Sequence, residues 1–183
     1  MVSSAKIRPS TAADLRVITG IYGHHVRTGT SSFELEAPSL DEMIGRRQAI
    51  LDKRLPYLVA ESANGELLGY ACVSPYRLRA AYRFTVENSI YIHPAFLGQG
   101  YGKLLLGSLI HECEQLGLRE IIAVIGDSTN LASIRLHEQA GFLPIGVFRN
   151  VGLKFGKWLD TVLMQRSLQT RALNFQPAES PES

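Results

Sequence analysis

The sequence predicts an α/β domain in which a mixed sheet of six or seven strands is flanked by helices. Three features carry that expectation. Short apolar runs of strand length are interspersed with stretches of helical period. Asn64-Gly65 separates two of those runs and marks an antiparallel hairpin. Gly98-Gln99-Gly100-Tyr101-Gly102 joins a long apolar strand to an amphipathic helix. A chain of 183 residues, 45% hydrophobic and 20% charged, has enough apolar side chain for one well-buried core, assigned to residues 1–168.

The elements follow in order. Lys6-Ile7-Arg8 reads as a short strand. A helix starts near Thr11, with Asp14 favouring its positive end, and runs to about Arg27. Thr28 to Pro38 reads as loop. Ser39 and Glu42 have capping-box spacing, which starts a second helix that reaches about Asp52. Tyr57 to Glu61 and Leu67 to Ser74 are strands, joined at Asn64-Gly65 by what should be a type I′ turn. Phe84 to Ile92 is a long strand, and Leu105, Leu109, Cys113 and Leu116 mark the buried stripe of the helix after the glycines. Ile121 to Ile125 reads as a buried strand, followed by a helix from about Leu131 to Ala140 that Gly141 ends. Strands near Phe142 to Val151 and Trp158 to Arg166 complete the set. Residues 169–183 have little to bury and are expected to form a disordered tail.

Composition narrows the function. The formal net charge is +2, with basic residues spread along the chain, which disfavours an extended nucleic-acid surface. Nothing approaches the roughly 20 apolar residues that span a bilayer, and the N-terminus has no apolar signal core, so a cytoplasmic protein is expected. Cys72 and Cys113 have no C-x-x-C partner, and His24, His25, His93 and His111 lack metal-ligand spacing, so no metal is expected.

Alternate glycines before a helix let successive amides face an anion, with the helix's positive end behind them. A tight strand-to-helix connection uses the same glycines. Two other phosphate motifs fail here. A dinucleotide loop needs glycine where Lys103 stands, and a Walker A loop needs Ser or Thr where Leu104 stands.

The remaining pattern resembles the pyrophosphate loop of the GCN5-related N-acetyltransferases (GNAT), which runs Gln or Arg, two residues, Gly, any residue, then Gly or Ala. Gly100-Tyr101-Gly102 matches it, while Leu97 replaces the Gln or Arg. Three further stretches resemble the phosphinothricin N-acetyltransferase branch: Tyr76 to Tyr82, Thr85-Val86-Glu87-Asn88-Ser89-Ile90-Tyr91-Ile92, and Ala123-Val124-Ile125-Gly126 with Ser133 to Glu138. The resemblance covers about Ile7 to Leu168. It implies a GNAT fold with acetyl-CoA as co-substrate, held by Leu97, Gly98, Gln99, Gly100, Tyr101 and Gly102. The backbone of Ile90, Tyr91 and Ile92, where the superfamily splays two strands, and Asn130 and Ser133 would add to that site. Helix capping is the alternative role of Asn130 and Ser133.

Acetylating an amine requires a base for the ammonium, donors for the oxyanion and a proton for the thiolate. Strand alternation puts Phe84, Val86, Ile90 and Ile92 on one face, with Glu87 opposite among Thr85, Ser89 and Tyr91. Read alone, Glu87 is equally an exposed strand glutamate; the resemblance implies that it is the general base. His137 stands where many superfamily members carry a tyrosine, so its imidazole either orients or protonates groups or simply packs. Cys113 falls on an apolar stripe, which favours direct attack in a ternary complex over an acyl-cysteine relay.

For the acceptor, the branch implies Arg77, Arg79 and Tyr82 as substrate-binding residues, with Phe33 and Gly126 as pocket walls. If the stretch from Tyr76 is helical, Arg79, Tyr82 and Arg83 share a face; a solvated basic turn is the alternative. The implied substrate is a small amino acid analogue of the phosphinothricin, methionine sulfoximine or methionine sulfone type. Lys154 to Asp160 resembles the branch's C-terminal signature, which implies a pocket contribution and a homodimer contact. Acetylation of a protein or peptide amine, and a non-catalytic acyl-CoA sensor, are the competing functions.

Overall fold

The computed structural model describes residues 5–169. Beyond its first residue, the tail assigned to 169–183 lies outside the described residues. Seven strands, β1 (Lys6–Pro9), β2 (Tyr57–Glu61), β3 (Leu67–Pro75), β4 (Thr85–Ile92), β5 (Glu120–Gly126), β6 (Leu143–Lys154) and β7 (Lys157–Ser167), form one sheet in the order β1-β2-β3-β4-β5-β7-β6. Among the described strands, only β4 and β5 pair in parallel, and residues 93–119 between them supply the long crossover that parallel neighbours need. The mixed sheet and its flanking helices are as the sequence predicts.

Helices α1 (Leu15–Thr28) and α2 (Leu40–Leu51) cover one face, and α3 (Tyr101–Gln115) and α4 (Leu131–Gln139) lie on the other. β2 is buried on both sides: Leu58 and Ala60 join the α3 core, while Tyr57 and Val59 join the α1 core. In α3, Leu105, Leu109 and Cys113 are fully buried, at roughly 1.5–3 kcal/mol for a large apolar side chain, so the helix start is fixed against the sheet. Leu116 departs from the expected stripe and is exposed. It lies just past the last helical residue, where Gly117 turns left-handed and Leu118 buries in its place.

Both caps on the α1 side are formed. Asp14 accepts from the amide and the hydroxyl of Thr11 at 2.6 and 3.0 Å, and Ser39 Oγ accepts from the Glu42 amide at 3.1 Å. The β2–β3 turn differs from the sequence prediction. Gly65 is left-handed, at φ +82°, but Asn64 is not, so Asn64-Gly65 is not a type I′ pair, and Gly65 instead closes back to the Ser62 carbonyl. The two-residue turn with both φ positive is Phe155 (+50°) and Gly156 (+71°), between β6 and β7.

Candidate active site

Pairing of β4 with β5 stops at Asn88 and Ala123, yet β4 runs on to Ile92 and β5 to Gly126. The strands therefore part, and Ser89 to Ile92 turn one backbone edge toward a cleft of about 1240 Å³. That exceeds the usual pocket for one small ligand, leaving room for a long carrier and an acceptor together. His25 Nε2 donates to the Ile92 carbonyl at 2.8 Å and so ties α1 to the strand end.

The glycine turn stands at the mouth. Gly98 and Gly100 have φ of +74° and +87°, values that side-chain-bearing residues rarely adopt, and Gly100 is the N-cap of α3. Among the described residues, the amides of Gly98, Gln99 and Gly100 meet no protein acceptor. With the first-turn amides of α3 they make a preformed anion site. A Cβ at Gly102 would meet Leu136 at 3.3 Å, so this glycine lets α3 and α4 approach. Leu97, Gly98, Gly100 and Gly102 line the cleft, whereas Gln99 does not and Tyr101 is buried against Phe96. Any contribution of Gln99 and Tyr101 to a carrier is thus through backbone. Asn130 and Ser133 also line it, and Asn130 Oδ1 accepts from the Ser133 amide at 3.2 Å, so capping and cleft lining coincide.

Glu87 and Asn88 leave opposite faces of β4, and both reach the cleft. Glu87 is half-buried and accepts no hydrogen bond among the described residues; burial raises its proton affinity, and the Arg77 charge partly offsets that. His137 is 2% exposed. Its Nδ1 lies 2.8 Å from the Ser133 carbonyl, which only accepts, so Nδ1 carries the proton. Nε2 then accepts from Asn88 Nδ2 at 3.0 Å, the ring packs edge-on against Phe142, and burial lowers its proton affinity. Both nitrogens are committed, so the geometry favours the orienting and packing role over proton donation. Asn88 itself escaped the sequence reading, although a polar residue between Val86 and Ile90 on the apolar face was the available signal.

The loop between α1 and α2 closes the far end. Phe33 sits against Gly126 and Gly152, where added Cβ atoms would lie 3.0 and 2.3 Å from its ring. Thr30 Oγ1 donates to Asp127 at 3.0 Å, and buried Lys154 donates to the Ser32 carbonyl at 2.6 Å. Tyr22 joins Ser32 and Glu34, and Arg46 grips both oxygens of Glu34. Arg77, Arg79 and Tyr82 are not brought to the cleft. Only a single helical turn, Ala80–Tyr82, forms there, so the shared helix face is absent and all three side chains stand exposed, Arg77 stacked over Tyr76. Cys72 and Cys113 are buried, and burial pushes both thiols up to about 12, which leaves no thiolate for a relay. No group of residues that could hold a metal occurs among the described residues, and no described helix is long and apolar enough to cross a membrane.

Strands that part beside an amide-lined turn, with a half-buried carboxylate in the same cleft, define an α/β protein with a preformed anion site next to a candidate base. A sequence profile of the acetyltransferase (GNAT) family matches residues 21–142. The chain is 56% identical over 155 residues to the phosphinothricin N-acetyltransferase of Alcaligenes faecalis, covering 85% of this chain and 78% of that protein. It is 39% identical over 166 residues to the L-methionine sulfoximine/L-methionine sulfone acetyltransferase of Salmonella typhimurium, covering 91% and 96%. The structure matches that of a GNAT phosphinothricin acetyltransferase from Sinorhizobium meliloti in complex with acetyl-CoA, with a TM-score of 0.90, 44% identity and coverage of 98% and 95%. The chain belongs to the acetyltransferase (GNAT) family and is an acetyl-CoA-dependent N-acetyltransferase.

Proposed function

We propose that the amine acetylated is the α-amine of a small amino acid analogue of the phosphinothricin, methionine sulfoximine or methionine sulfone type, with Glu87 as base. The observation that carries this is the half-buried Glu87, without a hydrogen-bond donor among the described residues, in a cleft that Phe33 and Gly126 also line. Glu87 takes one proton from the ammonium, and the freed nitrogen attacks the thioester carbon. A backbone amide along Ile90 to Ile92 stabilises the oxyanion. As the C–S bond breaks, the proton that the nitrogen sheds matches the one the thiolate gains, so the balance requires no imidazolium at His137. Arg77, whose charge is felt at Glu87, is the group of the Arg77 to Tyr82 segment that an acceptor's anion would meet.

A panel of amines with acetyl-CoA tests this reading. Turnover of at least one of the three analogues is expected, with little on peptides that carry free N-termini or lysines. Turnover of peptides alone would overturn it, and coenzyme A binding without any turnover would favour the sensor reading.

The enzyme acts as a homodimer in the cytoplasm, where its two free thiols stay reduced. Supporting the dimer, β6 is the sheet edge and exposes Leu143, Ile145, Phe148, Val151 and Leu153, each more than half exposed. An apolar edge strand of this kind calls for cover, and a second copy supplies it. Phe148→Asp with Leu153→Asp is expected to shift the sedimentation coefficient from dimer to monomer; an unchanged coefficient in both proteins would rule out this interface.

A further inference from the structure

Asn88 Oδ1 is a buried acceptor without a partner among the described residues, on a side chain only 7% exposed. Its direction is fixed. The Ser133 carbonyl sets the His137 tautomer, and the lone pair this leaves on Nε2 accepts only from the amide nitrogen of Asn88, so the oxygen must be the free end. Leaving such an oxygen unpaired costs more than a hydrogen bond usually gains, so a donor is missing there. Asn88 is also the last residue of β4 paired with β5, and it lines the cleft at the point where the strands part.

We infer that Asn88 Oδ1 accepts a hydrogen bond from the amide N–H of the acyl carrier nearest its thioester, with His137 as the positioning residue that aims it. This rests on the use of acetyl-CoA. A carrier whose phosphates sit at Gly98 to Gly102 runs along β4 from Ile92 toward Asn88, about 13 Å of strand. The thioester has no donor of its own, and the amide two carbons from the sulfur is the one N–H that the carrier brings to this end. Holding that amide fixes the carbonyl carbon relative to Glu87 on the opposite face of the strand.

Calorimetric titration of Asn88→Leu with coenzyme A and with adenosine 3′,5′-bisphosphate, which has no such arm, tests the assignment. Coenzyme A affinity is expected to fall about tenfold, the loss of one buried hydrogen bond, with bisphosphate affinity unchanged. Asn88→Asp, which keeps an acceptor oxygen and favours a protonated His137, should retain coenzyme A affinity within about threefold and move the His137 ring nitrogen resonances to those of the imidazolium. His137→Phe, with Asn88 intact, should lose affinity in the same arm-dependent way. Equal loss for both ligands would make Asn88 merely structural. Unchanged coenzyme A affinity, or a rise only in the acceptor's KM, would equally overturn the inference. Wild-type protein that fails to bind coenzyme A would sink the donor itself; wild-type binding that Asn88→Leu leaves intact sinks this assignment alone.

Discussion

Exchanging Glu87 for glutamine is expected to lower kcat by about a hundredfold with coenzyme A affinity unchanged, the low end of what loss of a general base costs. The side chain keeps its shape, so the loss isolates proton transfer. Because burial raises the Glu87 proton affinity, wild-type kcat/KM should climb with pH through an acid limb lying above the ordinary carboxylate range, and Glu87→Gln should lose that limb. Arg77 pulls the other way, so Arg77→Ala should move the limb to higher pH. Stability supplies an independent readout. A carboxyl whose folded proton affinity is raised favours the fold fully below its unfolded pKa, and this contribution fades as pH rises through the folded value. At neutral pH the ionised Glu87 is therefore a cost. Glu87→Gln should melt higher than wild type at pH 7 and lose that advantage near pH 4. Unchanged turnover would remove Glu87 from the mechanism whatever the melting curve shows.

Much of this site was readable from local pattern, and the parts that were not depend on contacts distant in sequence. Period-2 alternation placed Glu87 opposite Val86 because a strand allows no other arrangement. The glycine turn was legible because positive φ selects glycine at Gly98 and Gly100 whatever surrounds them. Asn64-Gly65 marked the right hairpin with the wrong turn: the register slip between Ala60 and Glu61 lengthens the connection, so a two-residue turn no longer fits. His137 and Asn88 are 49 positions apart, and no spacing rule announces a bond between a helix and a strand at that separation. The helical face imagined for Arg79, Tyr82 and Arg83 failed because the segment offers no apolar stripe to bury. Leu78 is 94% exposed, and the chain takes only one turn before β4.

Gly126→Ala should damage the acceptor side selectively. Gly126 needs no special φ; what it supplies is space, since a Cβ there would lie 2.4 Å from the Thr30 carbonyl oxygen, a backbone atom that cannot swing aside. The loop is pinned close by: Thr30 to Asp127, Ser32 to Lys154 and Tyr22, and Phe33 against Gly152. Relief therefore requires moving the whole Thr30 to Phe33 segment, at a cost of about 1–3 kcal/mol for an overpacked site. The acceptor's KM is expected to rise at least about tenfold, the effect of a misplaced binding wall, while coenzyme A affinity at the distant glycine turn holds. Gly107→Ala makes the control: it lies within α3 with nothing in reach of an added Cβ, so the same change should stabilise by about 0.5–1 kcal/mol and leave both constants alone. If Gly126→Ala leaves the acceptor's KM unchanged although its melting temperature falls, the Phe33 loop is a structural strap and the acceptor binds elsewhere in the cleft. Equal losses for acceptor and coenzyme A would mean that the parted strands, and not the loop, had moved.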